Sequence, residues 1–203
     1  TGRNEEHLKS TVAELEKLGV KAVYSVFNVE EMAQVEQGVA SIASQLGGID
    51  ILINNAGVGD FGSFEEMPVE TWEKVMKVNL FGVYYVAKAT LPYLKQNKEG
   101  DIVNVASTAG LKGAPNMSAY CASKAAVISL SQSLMAELRK FNIRVITLTP
   151  STIATDMSIE GKLTDGNPEK VLQPEDFAEW VRDILKMNRR AMIASASIFS
   201  TNP

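Results

Sequence analysis

The sequence predicts an α/β fold in which a doubly wound parallel sheet is covered by helices on both faces. Short runs rich in Val and Ile alternate with longer segments of helical period. Strands buried on both faces are continuously apolar, and the helices between them make the crossovers that parallel strands need. The 203 residues are enough for one substantial core, so we expect a single domain over residues 1–203.

Turn and cap residues set the bounds of the predicted elements. Gly19 and Gly47 each end a helical segment, and Pro68 and Pro174 each stand where a helix begins. The polar segment 156–172, which contains an Asp-Gly-Asn-Pro run, predicts a mobile excursion. The predicted helices are 5–18, 31–46, 68–97, 118–141 and one beginning at Pro174; the predicted strands are 22–26, 49–53, 101–106, 143–148 and 191–196.

The beginning of the chain differs from a complete nucleotide-binding sheet of the Rossmann type. Such a sheet begins with a strand, a glycine-rich turn and a helix whose N-terminus binds a pyrophosphate. Here Thr1-Gly2-Arg3 is interpreted instead as the end of a second strand. We therefore expect that the first strand, the glycine-rich turn and the first helix, roughly 30 residues, are not part of this chain.

Composition excludes several classes of partner. The net charge of −4 is spread along the chain, without the basic cluster that nucleic-acid phosphates require. No apolar run reaches the roughly 20 residues that cross a bilayer, and the first residues lack the apolar core of a signal peptide. The single cysteine, Cys121, agrees with a reducing compartment. We expect a cytoplasmic protein with no nucleic-acid, membrane or metal partner.

Tyr120 and Lys124 lie four residues apart on a predicted helix, one turn apart on the same face. An ammonium group beside a phenol stabilises the phenolate and lowers its pKa from about 10, which suits tyrosine for acid-base chemistry. The same spacing also occurs where an exposed aromatic residue covers a solvated lysine. The pair alone therefore leaves both interpretations open.

Polar residues follow two of the predicted strands at their carboxyl ends, where ligands bind in open α/β sheets. Ser107 follows strand 101–106, and its hydroxyl either holds a substrate carbonyl or belongs to an ordinary turn. The run Asn54-Asn55-Ala56-Gly57 either lets the backbone approach a ligand or makes a turn. Asn79, inside helix 68–97, is either a satisfied interior amide or a residue that kinks the helix and holds water.

Together these motifs resemble the short-chain dehydrogenase/reductase family, from Thr1 to about Met157, in order and at the family spacing. The resemblance implies an oxidoreductase that uses a nicotinamide cofactor to reduce a carbonyl to a hydroxyl. It implies that Tyr120 is the general acid and that Lys124 lowers its pKa and holds the nicotinamide ribose. Ser107 is then expected to orient the carbonyl, and Asn79 to hold a water in a proton relay that reaches Lys124.

The resemblance also implies cofactor contacts, beside the adenine at residues 28–29 and beside the carboxamide at residues 150–155. The sequence has Pro150-Ser151 where Pro-Gly is usual, so a tight turn must form there without glycine. The implied cofactor-binding residues are Arg3, Asn28, Val29, Asn55, Ala56, Gly57, Tyr120, Lys124, Pro150, Ile153 and Thr155.

Arg3 bears on the choice between the two dinucleotides, because family members make that choice just past the second strand. No acidic residue stands there to accept the ribose hydroxyls, whereas a guanidinium can pair with a 2′-phosphate in a bidentate geometry. We therefore predict NADP(H) in preference to NAD(H). The alternative is an ordinary solvated arginine in a surface turn.

Within the family the chain is most similar to bacterial 3-oxoacyl-(acyl-carrier-protein) reductases, including the ending Ser200-Thr201-Asn202-Pro203. This implies a 3-oxoacyl thioester or related ketone as substrate, acyl-carrier protein as a partner, and a tetramer or dimer formed through helices 68–97 and 118–141. Lys112 and Arg139-Lys140 form no convincing docking patch. The alternative is a non-catalytic cofactor-binding or scaffold protein, or a form that binds no cofactor because the glycine-rich turn is missing.

Overall fold

Four parallel strands form the centre of the protein, in a computed structural model that describes residues 1–201. The strand order in the sheet is β1-β2-β3-β4, and every neighbouring pair is parallel. The last two residues of the chain ending discussed above, Asn202 and Pro203, lie outside the described residues. The strands are β1 (Ile51–Asn54), β2 (Gly100–Val105), β3 (Ile143–Pro150) and β4 (Ser195–Ile198).

Seven α-helices occur among the described residues, and none is long and apolar enough to cross a membrane. A π-helical segment, Lys77–Phe81, separates the third helix from the fourth. The helices are α1 (Glu5–Lys17), α2 (Met32–Leu46), α3 (Val69–Met76), α4 (Gly82–Gln96), α5 (Ser118–Leu138), α6 (Asp156–Glu160) and α7 (Pro174–Lys186).

Helices cover both faces of the sheet, which confirms the predicted fold class. On β2, Ile102 packs with Leu94 of α4 and Leu138 of α5, while Val103 packs on the opposite face with Val181 of α7. Side chains on a strand alternate between faces, so neighbouring apolar residues are both buried only when both faces are covered. Each such aliphatic side chain contributes roughly 1.5–3 kcal/mol by its burial.

The predicted helix over residues 68–97 is interrupted at Asn79, which is buried within the π-helical segment. A π-helical turn accommodates one extra residue and shifts the helix that follows. The first residue of that next helix, Gly82, lies so close to Val29 that a Cβ atom on it would approach Val29 Cγ2 to 2.8 Å. The interruption therefore leads α4 directly over the loop that follows Phe27.

The predicted strand 22–26 does not form, and only an isolated parallel bridge joins Gly2 to Val26. A strand needs a partner along its length, and Gly2 provides one residue of pairing on this side. Among residues 1–201, no strand pairs with the free edge of β1. An apolar groove lies there between Phe27 and β1, whose Ile51 and Ile53 are 46% and 47% exposed.

Two further expectations differ from the structure near the C-terminus. The last strand is Ser195–Ile198 rather than 191–196, because Ser195 pairs with Thr147 while the Ala191 carbonyl accepts a hydrogen bond from Arg144. The excursion 156–172 begins with the short helix α6, which a capping box at Thr155 initiates. A bridge between Ile153 and Leu172 then closes this excursion at its base.

A buried ion pair joins β2 to β3 at their amino ends. Arg144 and Asp101 are cross-strand partners, and the Arg144 Nη2 atom lies 2.9 Å from the Asp101 Oδ2 atom. Both residues are buried, and Arg144 also donates to the main-chain carbonyls of Leu185 and Met187 at the C-terminal end of α7. The guanidinium therefore joins two strands to the end of a helix.

Replacement of Arg144 by Met should lower the free energy of unfolding by about 3–5 kcal/mol, because it leaves the Asp101 carboxylate buried with one fewer partner. Urea denaturation followed by circular dichroism measures the change. Arg182→Met is the matched control, because Arg182 pairs with Glu179 at an exposed position and should contribute less than about 1 kcal/mol. Equal losses in the two variants would contradict a special role for the buried pair.

Candidate active site

The carboxyl ends of the parallel strands meet at one edge of the sheet, and the loops after β1, β2 and β3 enclose a cavity of about 660 Å³ there. Residues from all three loops and from the first turns of α5 line it. Ser107, Tyr120 and Lys124 are among these residues, so the structure brings together three of the four predicted catalytic side chains. The fourth, Asn79, contacts the same region from the π-helical segment.

Tyr120 is partly buried near the start of α5, with its ring edge-on to Phe61. Burial raises the pKa of the Tyr120 phenol above its ordinary value, and hydrogen bonding to Ser107 offsets this rise only in part. Lys124 is not among the causes of this shift, so the expectation that it lowers the pKa of Tyr120 stays a prediction. The phenol stays protonated at neutral pH, which is the form that a general acid needs.

Lys124 is 5% exposed and its ammonium group donates a 2.9 Å hydrogen bond to the Val105 carbonyl at the end of β2. The Nζ atom lies 5.7 Å from the centre of the Tyr120 ring, within reach of its face. Burial lowers the pKa of Lys124 to about 8. The hydrogen bond to β2 thus holds the Lys124 ammonium group beside Tyr120. This group loses its proton at a lower pH than an ordinary lysine does.

The side-chain amide of Asn79 is fully engaged by protein groups. Its oxygen accepts from the Val58 main-chain N–H at 2.8 Å, and its nitrogen donates to the Val58 carbonyl and to Ser123 Oγ, both at 3.0 Å. Ser123 Oγ in turn donates to the Tyr120 carbonyl at 2.8 Å. Asn79 is therefore both a satisfied interior amide and a residue of the π-helical interruption. Its role in a water relay stays a prediction.

The predicted cofactor-binding residues fall into two groups. Asn55, Gly57, Pro150, Ile153 and Thr155 line the cavity with Tyr120 and Lys124, and Ala56 is exposed between two of them. The other three lie outside the lining of this cavity: Arg3 is exposed, Asn28 exchanges hydrogen bonds with Glu30, and Val29 packs against Gly82.

The Pro150-Ser151 departure from the family pattern causes no strain. The Ser151 main-chain N–H donates to the Ile198 carbonyl at 2.9 Å, which continues the pairing of β3 with β4 by one residue. Ser151 is not among the described residues with positive φ. A backbone conformation that favours glycine is therefore not required at this position.

The cavity fits the nicotinamide and ribose part of a dinucleotide by the chemistry of its donors and by one close backbone approach. A Cβ atom on Gly57 would lie 3.3 Å from Asn79 Oδ1 and 3.6 Å from Lys124 Nζ, so glycine leaves open the space beside both groups. An ammonium, two hydroxyls and exposed backbone suit the hydroxyls of a ribose and the carboxamide. Among the described residues, no cluster of His, Cys, Asp or Glu could hold a metal ion.

Sequence reasoning missed three contributors to this site. Ser123 and the Val105 carbonyl position Asn79 and Lys124, and Phe61 forms the wall beside Tyr120. The spacing of Ser123, three residues after Tyr120 on the same helix, was the one available signal. A main-chain carbonyl and a loop phenylalanine carry no comparable pattern.

The fold and this site define an oxidoreductase of the short-chain class. Residues 1–165 match the family model described as short chain dehydrogenase, and the chain belongs to this family.

Two similar curated proteins illustrate the range of the family. One is the "Inactive 2-(S)-hydroxypropyl-CoM dehydrogenase 2" of Xanthobacter autotrophicus, 35% identical over 86% of this chain and 81% of that protein. The other is a 3-oxoacyl-[acyl-carrier-protein] reductase of Thermotoga maritima, 38% identical over 82% of this chain. The match spans 65% of the length of the Thermotoga protein.

Two solved structures are also similar. An alcohol dehydrogenase from Thermococcus sibiricus, complexed with 5-hydroxy-NADP, has a TM-score of 0.91 at 26% identity and covers 100% of this chain and 85% of its own. An NAD+-bound xylitol dehydrogenase has a TM-score of 0.89 at 27% identity, over 97% of this chain and 85% of its own.

Replacement of Lys124 by Met should change how stability depends on pH. The folded chain releases the Lys124 proton near pH 8, whereas an unfolded lysine holds its proton to about pH 10.4. Between these pH values the unfolded wild-type chain binds more protons than the folded chain. The free energy of unfolding of the wild type therefore rises with pH, by about 3 kcal/mol relative to Lys124→Met. Urea denaturation from pH 7 to 10 measures the difference.

Lys186→Met, at an exposed position in α7, is the control for this comparison. If the free energies of unfolding of the wild type and Lys124→Met differ by a constant amount across the pH range, the buried amine does not titrate near pH 8.

Proposed function

We propose that the protein is an NADP(H)-dependent carbonyl reductase that converts a ketone, or the keto group of a 3-oxoacyl thioester, to a hydroxyl. The observation that carries this proposal is the convergence of Ser107, Tyr120 and Lys124 on one cavity at the carboxyl edge of a parallel sheet. Membership of an oxidoreductase family supports it independently.

The side chains suit the proton chemistry of carbonyl reduction. The Ser107 and Tyr120 hydroxyls both line the cavity, where each can donate a hydrogen bond to a carbonyl oxygen. Tyr120 Oη gives its proton to that oxygen as the hydroxyl forms, and the hydride that reduces the carbon is the chemistry a bound nicotinamide dinucleotide supplies. The Lys124 ammonium group, charged below pH 8, then stabilises the phenolate left on Tyr120.

The preference for NADP(H) rests on Arg3. The similar structures include one complexed with an NADP derivative and one bound to NAD+, so similarity alone supports either dinucleotide. The Arg3 side chain is exposed and makes no ion pair within residues 1–201, which leaves its guanidinium available for a 2′-phosphate. Asn28 follows the Gly2–Val26 bridge on the adjoining segment, where it can border the adenine.

A similar protein supports the proposed substrate, and exposed apolar residues support the proposed assembly. The relative from Thermotoga maritima acts, by its name, on 3-oxoacyl-[acyl-carrier-protein], which supports a 3-oxoacyl thioester here and acyl-carrier protein as a partner. We also propose a dimer or tetramer that uses α4 and α5. Phe81 and Tyr84, which are 45% and 41% exposed beside and on α4, give this surface the apolar character of an interface.

A second candidate function is cofactor binding without turnover. The relative from Xanthobacter autotrophicus is named inactive, which supports this candidate. NADPH oxidation with acetoacetyl thioesters and simple ketones, measured beside NADPH binding, separates the two functions. Turnover supports the reductase, whereas binding without turnover supports the second candidate.

Replacement of Tyr120 by Phe should lower turnover about 100- to 10,000-fold, because it removes the proton donor and leaves the ring packing in place. Steady-state NADPH oxidation with a ketone measures the loss, and circular dichroism verifies the fold. Tyr24→Phe is the matched control, because Tyr24 donates to Glu5 and does not line the cavity, so this variant should keep full turnover. Retained activity in Tyr120→Phe would remove this residue from the proposed mechanism.

Replacement of Arg3 by Ala should raise the KM for NADPH about ten-fold or more, because a charge-assisted pair with the 2′-phosphate is lost. The KM for NADH should change less than about two-fold, since NADH has no such phosphate. Arg190→Ala removes another exposed arginine and should leave both values unchanged. Equal changes of the two KM values in Arg3→Ala would contradict the proposed contact between Arg3 and the 2′-phosphate.

A further inference from the structure

Phe61 separates the candidate active site from two neighbouring cavities. Its side chain lines the site cavity of about 660 Å³ and also two surface cavities of about 630 Å³ and 500 Å³. Among the other lining residues, Met157 borders the first and second cavities, and Met117 borders the first and third. Phe61 is the described residue common to all three, so its ring lies where they adjoin.

The Phe61 ring occupies a slot between two glycines from different segments. A Cβ atom on Gly59 would lie 2.6 Å from the ring atom Cζ, and a Cβ atom on Gly161, just after α6, would lie 2.6 Å from Cε2. Both distances are far below contact, so only glycine at these positions leaves room for the ring. The loop after β1 and the end of α6 thus approach each other through Phe61.

The same ring stands directly beside the proposed proton donor. The centres of the Phe61 and Tyr120 rings are 5.7 Å apart and their planes meet at 75°, an edge-to-face contact. The main chain next to Phe61 is fixed as well, because the Gly62 N–H donates to the Asn116 carbonyl at 2.9 Å. A carbonyl whose oxygen reaches Tyr120 can therefore place one of its substituents against this ring.

We propose, on the basis of the proposed carbonyl reduction, that Phe61 is a specificity-determining residue. Its ring limits the size of one substituent of the substrate carbonyl. Carbonyl compounds with one compact substituent, such as methyl ketones, are then the preferred substrates. The other substituent extends along the apolar wall that Met157 and Leu163 form.

Two ketones that differ in one substituent test this proposal. Acetophenone and isobutyrophenone share a phenyl group and differ in the replacement of methyl by isopropyl. In Phe61→Ala, the ratio of kcat/KM for isobutyrophenone to kcat/KM for acetophenone should rise about ten-fold or more over wild type, because the passage to the neighbouring cavities opens. Phe61→Leu, which keeps an apolar side chain in the slot, should show a smaller rise and serves if the Ala variant does not fold.

Phe64→Ala is the matched control, because Phe64 is 81% exposed three residues away and lines none of the three cavities. Its ratio should equal that of the wild type. An unchanged ratio in both Phe61 variants overturns the proposal for Phe61 and leaves carbonyl reduction intact.

Absence of turnover in the wild type with both ketones and with an acetoacetyl thioester would contradict the proposed function instead. Saturation-transfer NMR of the two ketones with the protein alone then decides about Phe61. Stronger isobutyrophenone binding by Phe61→Ala supports the size limit, and equal binding by the variant and the wild type overturns it.

Discussion

The candidate site depends on the hydrogen bonds of the Asn79 side-chain amide. Its three hydrogen bonds join the loop after β1 to α5, and the Ser123 hydroxyl extends this connection to the Tyr120 main chain. A buried amide that lost these partners would be destabilised by about 1–3 kcal/mol for each unsatisfied group. In the π-helical segment, the Asn79 side chain thus contacts both the loop after β1 and α5, and it fixes their relative position.

Burial changes the acid-base properties of the two proposed catalytic residues in opposite directions. It raises the pKa of the Tyr120 phenol and lowers the pKa of Lys124 to about 8, because the charged form of each is disfavoured. One is therefore neutral and the other still cationic near pH 7. A bound cofactor and substrate bring further dipoles into the cavity, and these act on both groups during the reaction.

The sequence was sufficient to predict those features that depend on local pattern. Apolar runs predicted the ends of β2 and β3 to within two residues. The spacing of Tyr120 and Lys124 predicted one shared helix face, and both residues line one cavity. Features that depend on distant partners were not predictable. Strand 22–26 lacks partners and does not form, while the walls of the cavity come from Phe61 and Met157, which no local pattern connects.

The buried Arg144–Asp101 pair and the cavity occupy opposite ends of the same strands. Asp101 lies four positions before Val105 in β2, about 13 Å along the extended chain, and the Val105 carbonyl accepts the hydrogen bond from Lys124. Mutational effects at such separations are usually additive. The loops that shape the cavity are therefore free to diversify while the other edge preserves the scaffold, an arrangement that favours the evolution of new substrate ranges on one framework.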